Sequence, residues 1–89
     1  MDQETLHTYP CEYTFKVFGL AELRETLIPQ VYAAVNQVVE GVGEDRVGQR
    51  CSSGGNYFCI SVNAMLQSEE QRRRIYTLLQ KLEGVRYIL

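Results

Sequence analysis

The sequence predicts an α+β sandwich, in which two amphipathic helices cover one face of a four-stranded antiparallel sheet. Four short stretches have the alternation or composition of strands, and two longer stretches repeat apolar residues at steps of three and four. Their order along the chain is strand, helix, strand, strand, helix, strand. This order is typical of two split β-α-β units that share one sheet.

The first strand is predicted over residues 11–18, with Gly19 at its end. Glu12, Thr14 and Lys16 alternate there with apolar or aromatic residues. A period of two indicates a strand with one buried and one solvated face. The residues assigned to the buried face are Cys11, Tyr13, Phe15 and Val17.

The first helix is predicted within residues 21–40, although Pro29 interrupts its pattern. Proline costs about 3 kcal/mol inside a helix but is tolerated in the first turn. We therefore expect a short turn over residues 21–25 and a main helix from about Leu27, with Thr26 as its N-cap. The apolar stripe consists of Leu23, Leu27, Val31, Val35 and Val38.

Residues 46–51 and 57–64 are predicted to form a hairpin around the turn residues 52–56, which are rich in serine and glycine. Two arginines and a glycine in the second strand suit a sheet edge, because charge discourages pairing with another chain. If the hairpin is symmetric about Gly55, Cys51 lies opposite Cys59. Two small buried apolar side chains explain such a pair, and a redox pair is the alternative.

The second helix is predicted to begin at Ser68, whose hydroxyl can cap the first turn in a capping box with Gln71. Gly84 ends this helix, and residues 85–89 form the fourth strand. The apolar stripe of the helix consists of Ile75, Leu78, Leu79 and Leu82. One face of the fourth strand carries Val85, Tyr87 and Leu89.

Right-handed crossovers place the first and third strands in the centre and give the strand order 4-1-3-2. The predicted fold is thus a ferredoxin-like βαββαβ sandwich, with one domain over residues 9–89 and a loose tail over residues 1–8. We call the sheet face opposite the helices the open face. It is predicted to carry Glu12, Thr14, Lys16, Tyr57, Cys59, Ser61, Asn63, Arg86 and Ile88.

The composition limits the classes of function. A net charge of −2 gives no broad positive field for nucleic acid or acidic lipid. Three cysteines without a C-x-x-C pair, and no basic and apolar leader, predict reduced thiols in a cytoplasmic protein. No apolar run approaches the ~20 residues of a membrane span.

Catalytic and metal-binding signatures are weak. The single histidine, His7, lies in the predicted tail, and no nucleophile has a base at a recognisable spacing. Paired metal ligands are also lacking, so we expect no enzyme activity, no metal and no cofactor. The turn at residues 52–56 has amides and hydroxyls for an anion, and the alternative is a turn that simply needs glycine.

The open face allows several functions. It is a solvated or self-associating surface, or it binds a small ligand or partner. An RNA-recognition module shares the strand order and stacks bases on aromatic residues of its central strands. Residues 54–62 partly match its third-strand motif, with Tyr57 at an aromatic position, but Cys59 replaces the second aromatic and the net charge opposes binding.

Four segments together resemble the YbeD-like family of small uncharacterised bacterial proteins. These segments are YTFKVFG, RCSSGGNYFCISV, SEEQRRRIYTLL and VRYIL, and the resemblance spans residues 9–89. It implies a ferredoxin-like fold similar to the ACT-type regulatory domains, which bind small effectors such as amino acids. The matched positions, offered as ligand-binding candidates, are Lys16, Gly19, Arg50, Ser52, Ser53, Gly55 and Tyr57.

These observations predict a non-enzymatic regulatory or ligand-sensing module. A homodimer through the open face or the edge strand and a small effector are the expected partners, whereas nucleic acid and membranes are not. The alternatives are an RNA-binding domain and a protein–protein adaptor without a ligand.

Overall fold

A computed structural model describes residues 8–51 and 55–89 of the chain. Its strands and helices follow the predicted order, with short 3-10 turns at Ala21–Leu23 and Glu44–Arg46. The predicted tail lies almost wholly outside the described residues, as do Ser52 and Ser53. The elements are β1 (Cys11–Leu20), α1 (Arg24–Val38), β2 (Val47–Cys51), β3 (Tyr57–Leu66), α2 (Glu69–Gln80) and β4 (Val85–Ile88).

The four strands form one antiparallel sheet in the order β2-β3-β1-β4. The central strands β1 and β3 pair over their full ten residues, from Cys11 opposite Leu66 to Leu20 opposite Tyr57. The short strand β2 lies at one edge and β4 at the other. This is the predicted ferredoxin-like order, and it confirms the fold class.

Both helices pack on the same face of the sheet, because their apolar stripes and one face of β1 and β3 form a single core. The central residues of this core are each at most 4% exposed. The helices contribute Leu27, Val31, Ala34, Val35, Ile75 and Leu79, and the strands contribute Phe15, Val17, Phe58, Ile60 and Val62. The remaining members of the predicted stripes are partly buried around this core.

Helix α1 begins earlier than the sequence predicts. It starts at Arg24 with Leu23 at the N-cap, so the prediction of Thr26 as the cap is wrong. Pro29 therefore lies within the helix, beyond its first turn. Pro29 and Glu25 are both exposed, so water can bond the Glu25 carbonyl that the missing proline N–H leaves unpaired.

Helix α2 has the predicted cap with a shifted return bond. The Ser68 hydroxyl accepts a hydrogen bond from the Gln71 backbone N–H at 3.3 Å. The Gln71 side chain accepts from the N–H of Gln67 at 2.6 Å, one residue before the position that a capping box uses. The helix start is thus held by two side-chain bonds, as its sequence suggests.

The predicted facing of β4 is wrong from Tyr87 onwards. Val85 pairs with Gly19, but Tyr87 pairs with Phe18 and Ile88 with Val17, so Arg86 is an extra residue in the ladder. A bulge of this kind reverses the alternation that follows it. Ile88 is consequently buried in the core, whereas Tyr87 is 55% exposed on the open face.

The hairpin register also differs from the prediction. Arg50 lies opposite Cys59, and Cys51 lies opposite Phe58. The turn is therefore centred half a residue before Gly55, and this one-residue shift in pairing separates the two cysteines. A redox pair between Cys51 and Cys59 loses its basis in the register.

A polar cluster ties the residues before β1 to the start of α2. The Tyr9 hydroxyl donates a hydrogen bond to Glu69 at 2.6 Å, and Arg72 forms a hydrogen-bonded ion pair with the same carboxylate. The Arg72 guanidinium also lies 5.9 Å from the centre of the Tyr13 ring. The hydrogen bonds from Arg72 and Tyr9 lower the pKa of Glu69 from 4.5 to about 2.

Replacing Glu69 with glutamine is expected to lower the free energy of unfolding by about 1 kcal/mol near neutral pH, a value that allows for solvent screening of a partly exposed pair. The folded pKa is depressed, so the wild-type advantage is complete above pH 4.5 and is lost as the pH falls towards 2. Urea denaturation of both proteins over this pH range measures the difference.

Glu70→Gln is the matched control, since Glu70 occupies the same helical turn and is exposed. It shares the interaction with the helix dipole but lacks a place in the cluster. An equal loss of stability in the two variants would show that the hydrogen bonds of Glu69 contribute nothing beyond the dipole.

Candidate functional site

One row of side chains crosses all four strands on the open face. Arg50 on β2 lies opposite Cys59 on β3, and Cys59 lies opposite Phe18 on β1. Phe18 in turn lies opposite Tyr87 on β4. Directly opposite residues project to the same side of an antiparallel sheet, so the row changes from cationic at one edge to aromatic at the other.

The cationic half of the row borders a depression of about 480 Å³. Gly48 has no side chain, and those of Cys59 and Ser61 are small, so the surface of the sheet is recessed here. Lys16, which is paired with Ser61, and Arg50 stand beside them with longer side chains. The depression is lined by Lys16, Phe18, Gly48, Gln49, Arg50, Cys59 and Ser61.

The aromatic half borders a second depression of about 510 Å³, lined by Phe18, Tyr57, Arg86 and Tyr87. The rings of Phe18 and Tyr87 are stacked, with centroids 4.5 Å apart and planes inclined by 11°. Phe18 belongs to the lining of both depressions. The two depressions are therefore neighbours, and together they form a two-part groove.

The open face is positively charged although the whole chain is acidic. Lys16, Arg50 and Arg86 form no ion pair with any residue in the described ranges 8–51 and 55–89. Arg46, further along the face, lies 3.6 Å from Glu12 and donates to Asn63. The cations at the groove thus keep their charge available, and their summed field attracts anions to this part of the surface.

The lining of the groove consists of cationic, aromatic and small residues. Among the residues that the structure describes, no histidine and no carboxylate lines either depression. Within residues 8–51 and 55–89, no three histidine, cysteine or acidic side chains come together as a metal site would require. Neither described helix combines the length and apolar character that a membrane-spanning helix needs.

The candidate residues fall into three groups. Lys16 and Arg50 line the same depression, and Tyr57 lines its neighbour. Gly19 lies on the buried side of the sheet, where Leu27 packs against it. Gly55 is in the turn with a φ of +77°, which explains a glycine there, and Ser52 and Ser53 lie outside the described residues.

Phe18 and Tyr87 are the aromatic residues of the groove that the sequence analysis missed. Phe18 continues the polar-face positions of β1, so its alternation alone was enough to place it on the open face. Arg86 was expected on this face, but its place beside two aromatic rings was not. Tyr87 reaches the open face through the bulge, for which the sequence gives no signal.

Another groove, of about 280 Å³, lies between α1 and the edge strand β2. Ile28, Pro29, Tyr32 and Val47 give it an apolar lining, completed by Gly48 and Gln49. It is smaller than either depression of the open face, and none of its described lining residues is a cation. Its chemistry does not select a ligand.

A family model described as "Protein of unknown function (DUF493)" matches residues 4–89. The chain is 33% identical over 86 residues to a UPF0250 protein of Shewanella oneidensis, and the alignment covers 97% of this chain and 93% of the relative. A UPF0250 protein of Idiomarina loihiensis is 35% identical over 86 residues, with the same coverage. These relatives share the whole domain with this chain.

The fold is similar to the solution structure of protein HP0495 from H. pylori. The TM-score is 0.67, and the match covers 99% of this chain and 90% of that one. Only 16% of the aligned residues are identical. The likeness therefore concerns the fold.

Proposed function

The chain belongs to the DUF493 family of proteins of unknown function, and we propose that it is a non-enzymatic ligand-sensing module that binds a small organic anion on its open face. The observation that carries this proposal is the depression between Lys16 and Arg50. Its volume of about 480 Å³ is in the range of roughly 300–1,000 Å³ that small-molecule sites occupy.

The charge of the lining supports an anionic ligand. Arg50 presents a planar guanidinium that suits bidentate binding of a carboxylate or phosphate, and Lys16 adds a second cation. Ser61 contributes a hydroxyl on the floor of the depression. In the part of the chain that the structure describes, no carboxylate lines the site to repel such a ligand.

We propose a regulatory role because this site adjoins an edge strand of the sheet. The edge strand β2 contributes Arg50 and Gly48 to the depression. A ligand bound there contacts the same strand that a second copy or a partner protein would pair with. We therefore propose that the protein forms a homodimer through β2 or the open face, and that this dimer converts ligand binding into a signal.

RNA binding is the second candidate, because one structural observation favours it more strongly than the sequence analysis did. The stacked rings of Phe18 and Tyr87, with Tyr57 nearby, form an aromatic platform on the open face. They supply aromatic surface that the motif lacks at Cys59. Cations beside that platform offset the acidic net charge locally. Stacking on aromatic side chains is how single strands bind to open sheets.

A thermal-shift screen tests the proposal. The panel contains amino acids, dicarboxylates, sugar phosphates and nucleotides. A ligand at about one hundred times its Kd adds ~2.7 kcal/mol to the stability, which raises the Tm of a domain of this size by roughly 10 °C or more. We expect at least one anion to stabilise the wild-type protein. Arg50→Gln should lower that stabilisation by roughly half at the same ligand concentration, which is the effect of a tenfold loss of affinity.

Arg74→Gln is the control for charge, since Arg74 is exposed on α2, on the other side of the molecule. It should respond to ligand as the wild type does. A panel without any stabilising anion, or a response that is undiminished in Arg50→Gln, would refute the proposal. A single stoichiometric partner recovered from lysate would then favour the adaptor alternative.

A further inference from the structure

We infer that the ligand of the open face is a free nucleoside phosphate, with its phosphate in the depression beside Lys16 and Arg50 and its base against Phe18 and Tyr87. This inference rests on the proposed function and names the chemical class of the ligand. It follows from the two-part character of the groove, which is cationic at one end and aromatic at the other.

The spacing of the two halves fits one nucleotide. Arg50 and Phe18 belong to the same cross-strand row and are separated by β3. Neighbouring strands lie about 4.8 Å apart, so the backbones at these two positions are roughly 10 Å apart. A ligand that contacts both side chains needs its anionic group and its ring separated by a spacer, which the sugar provides.

The cationic half matches a phosphate. Arg50 and Lys16 supply donors of two kinds, a planar fork and a mobile ammonium, and Ser61 adds a hydroxyl between them. Both cations form no ion pair with the residues that the structure describes. A phosphate therefore does not have to displace an existing carboxylate from them.

The aromatic half matches a base. Tyr87 is 55% exposed and its ring is supported by the stacked ring of Phe18. Tyr57, 42% exposed, lines the same depression, and Arg86 places a cation at its border. Exposed aromatic rings with arginine beside them bind the π-face of a base without selecting its identity.

An amino acid fits the groove less well. Its ammonium group would lie among three cations, and none of the described residues that line the two depressions is a carboxylate that could pair with it. In an aromatic amino acid, moreover, only a short chain separates the carboxylate from the ring. The groove therefore favours a ligand that is anionic at one end and uncharged at the other.

A nucleic-acid strand also fits less well than a single nucleotide. Beyond Lys16 the face continues with Thr14, Asn63 and Glu12, and Arg46 is already bound to the last two of these. The available cations thus converge on one groove and do not form a stripe along which a phosphate backbone can run.

Isothermal titration calorimetry with defined probes tests this inference. The probes are adenosine 5′-monophosphate (AMP), adenosine, inorganic phosphate and a single-stranded oligoadenylate. AMP should bind at least tenfold more tightly than adenosine or phosphate, a difference of about 1.4 kcal/mol or more. This difference in affinity is expected because AMP, unlike adenosine or phosphate, can contact both halves of the groove at once.

Two variants separate the halves of the groove. Arg50→Gln should weaken the binding of both AMP and phosphate by roughly tenfold, the effect of one charge-assisted contact. Tyr87→Ala should weaken AMP by a similar factor and leave phosphate unchanged. Met65→Ala, at the far end of the same face and 44% exposed, is the control that should change neither.

The outcomes distinguish the two proposals. A carboxylate that stabilises the protein while AMP does not would overturn the nucleotide inference and leave the ligand-sensing function in place. Binding of the oligoadenylate without AMP binding, with a steep dependence on salt, would overturn it in favour of RNA. Equal affinity of Tyr87→Ala and the wild type for AMP would overturn the assignment of the aromatic half.

Discussion

Replacing Gly84 with alanine is expected to lower the free energy of unfolding by about 2 kcal/mol, the sum of a backbone term and a smaller packing term. Gly84 has a φ of +96°, a conformation that costs a residue with a side chain roughly 1–2 kcal/mol. A Cβ at this position would also lie 2.5 Å from Leu23 Cδ1, the end of a partly buried side chain that can shift at a smaller cost. Urea denaturation measures the total.

Two other glycines separate these terms. Gly41 has a φ of +87° with no atom within 4 Å of its added Cβ, so Gly41→Ala should show the backbone term alone. Gly48 has neither the positive φ nor a neighbour within 4 Å, and Gly48→Ala should leave stability unchanged or slightly raised. Equal losses in Gly84→Ala and Gly41→Ala would show that Leu23 moves aside without cost.

The layers and the strand order could be predicted because they depend on long, regular patterns. The alternation in β1 and β3 fixes which face is buried, since a shift of one residue would expose all of the apolar side chains. The helical stripes then have only one apolar surface on which to pack. Handedness of the crossovers selects one strand order from the remaining arrangements.

The errors occur where one residue changes the pattern. The bulge at Arg86 reverses the facing of Tyr87 and Ile88, and the short strand offers too few residues to show it. The hairpin register depends on the geometry of the turn, which its glycines permit but do not specify. The predicted start of α1 was too late because Pro29 is tolerated inside the helix. Its position is exposed, so water can bond the backbone carbonyl that lacks a partner there.

The candidate site could be predicted in part. Lys16, Arg50 and Tyr57 were identified through a family resemblance, and the sheet register brings them to one face. Alternation in β1 places Phe18 on the same face, but the position of Tyr87 and its stacking on Phe18 follow only from the pairing of β1 with β4. The cationic half of the groove was thus open to sequence reasoning, whereas the aromatic half depends on a local irregularity.

Leu27→Ala is expected to lower the free energy of unfolding by about 3 kcal/mol, since a buried leucine loses its contacts and leaves a cavity. Leu27 is fully buried, and its Cδ1 lies 2.6 Å from the place where a Cβ would stand on Gly19. Gly19→Ala alone should therefore cost about 2 kcal/mol through overpacking. Both values are obtained by urea denaturation.

The double variant is expected to be no less stable than Leu27→Ala alone, because the methyl group added at Gly19 occupies the space that Leu27 vacates. The coupling between the two changes should therefore amount to about 2 kcal/mol or more, the whole cost of Gly19→Ala. Leu79→Ala is the control partner, since it is also fully buried but lies on α2 and is not among the nearest neighbours of Gly19. Its effect should simply add to that of Gly19→Ala. Additivity in the Leu27 pair as well would mean that the 3.1 Å approach to the Gly84 carbonyl, and not Leu27, is what requires glycine at position 19.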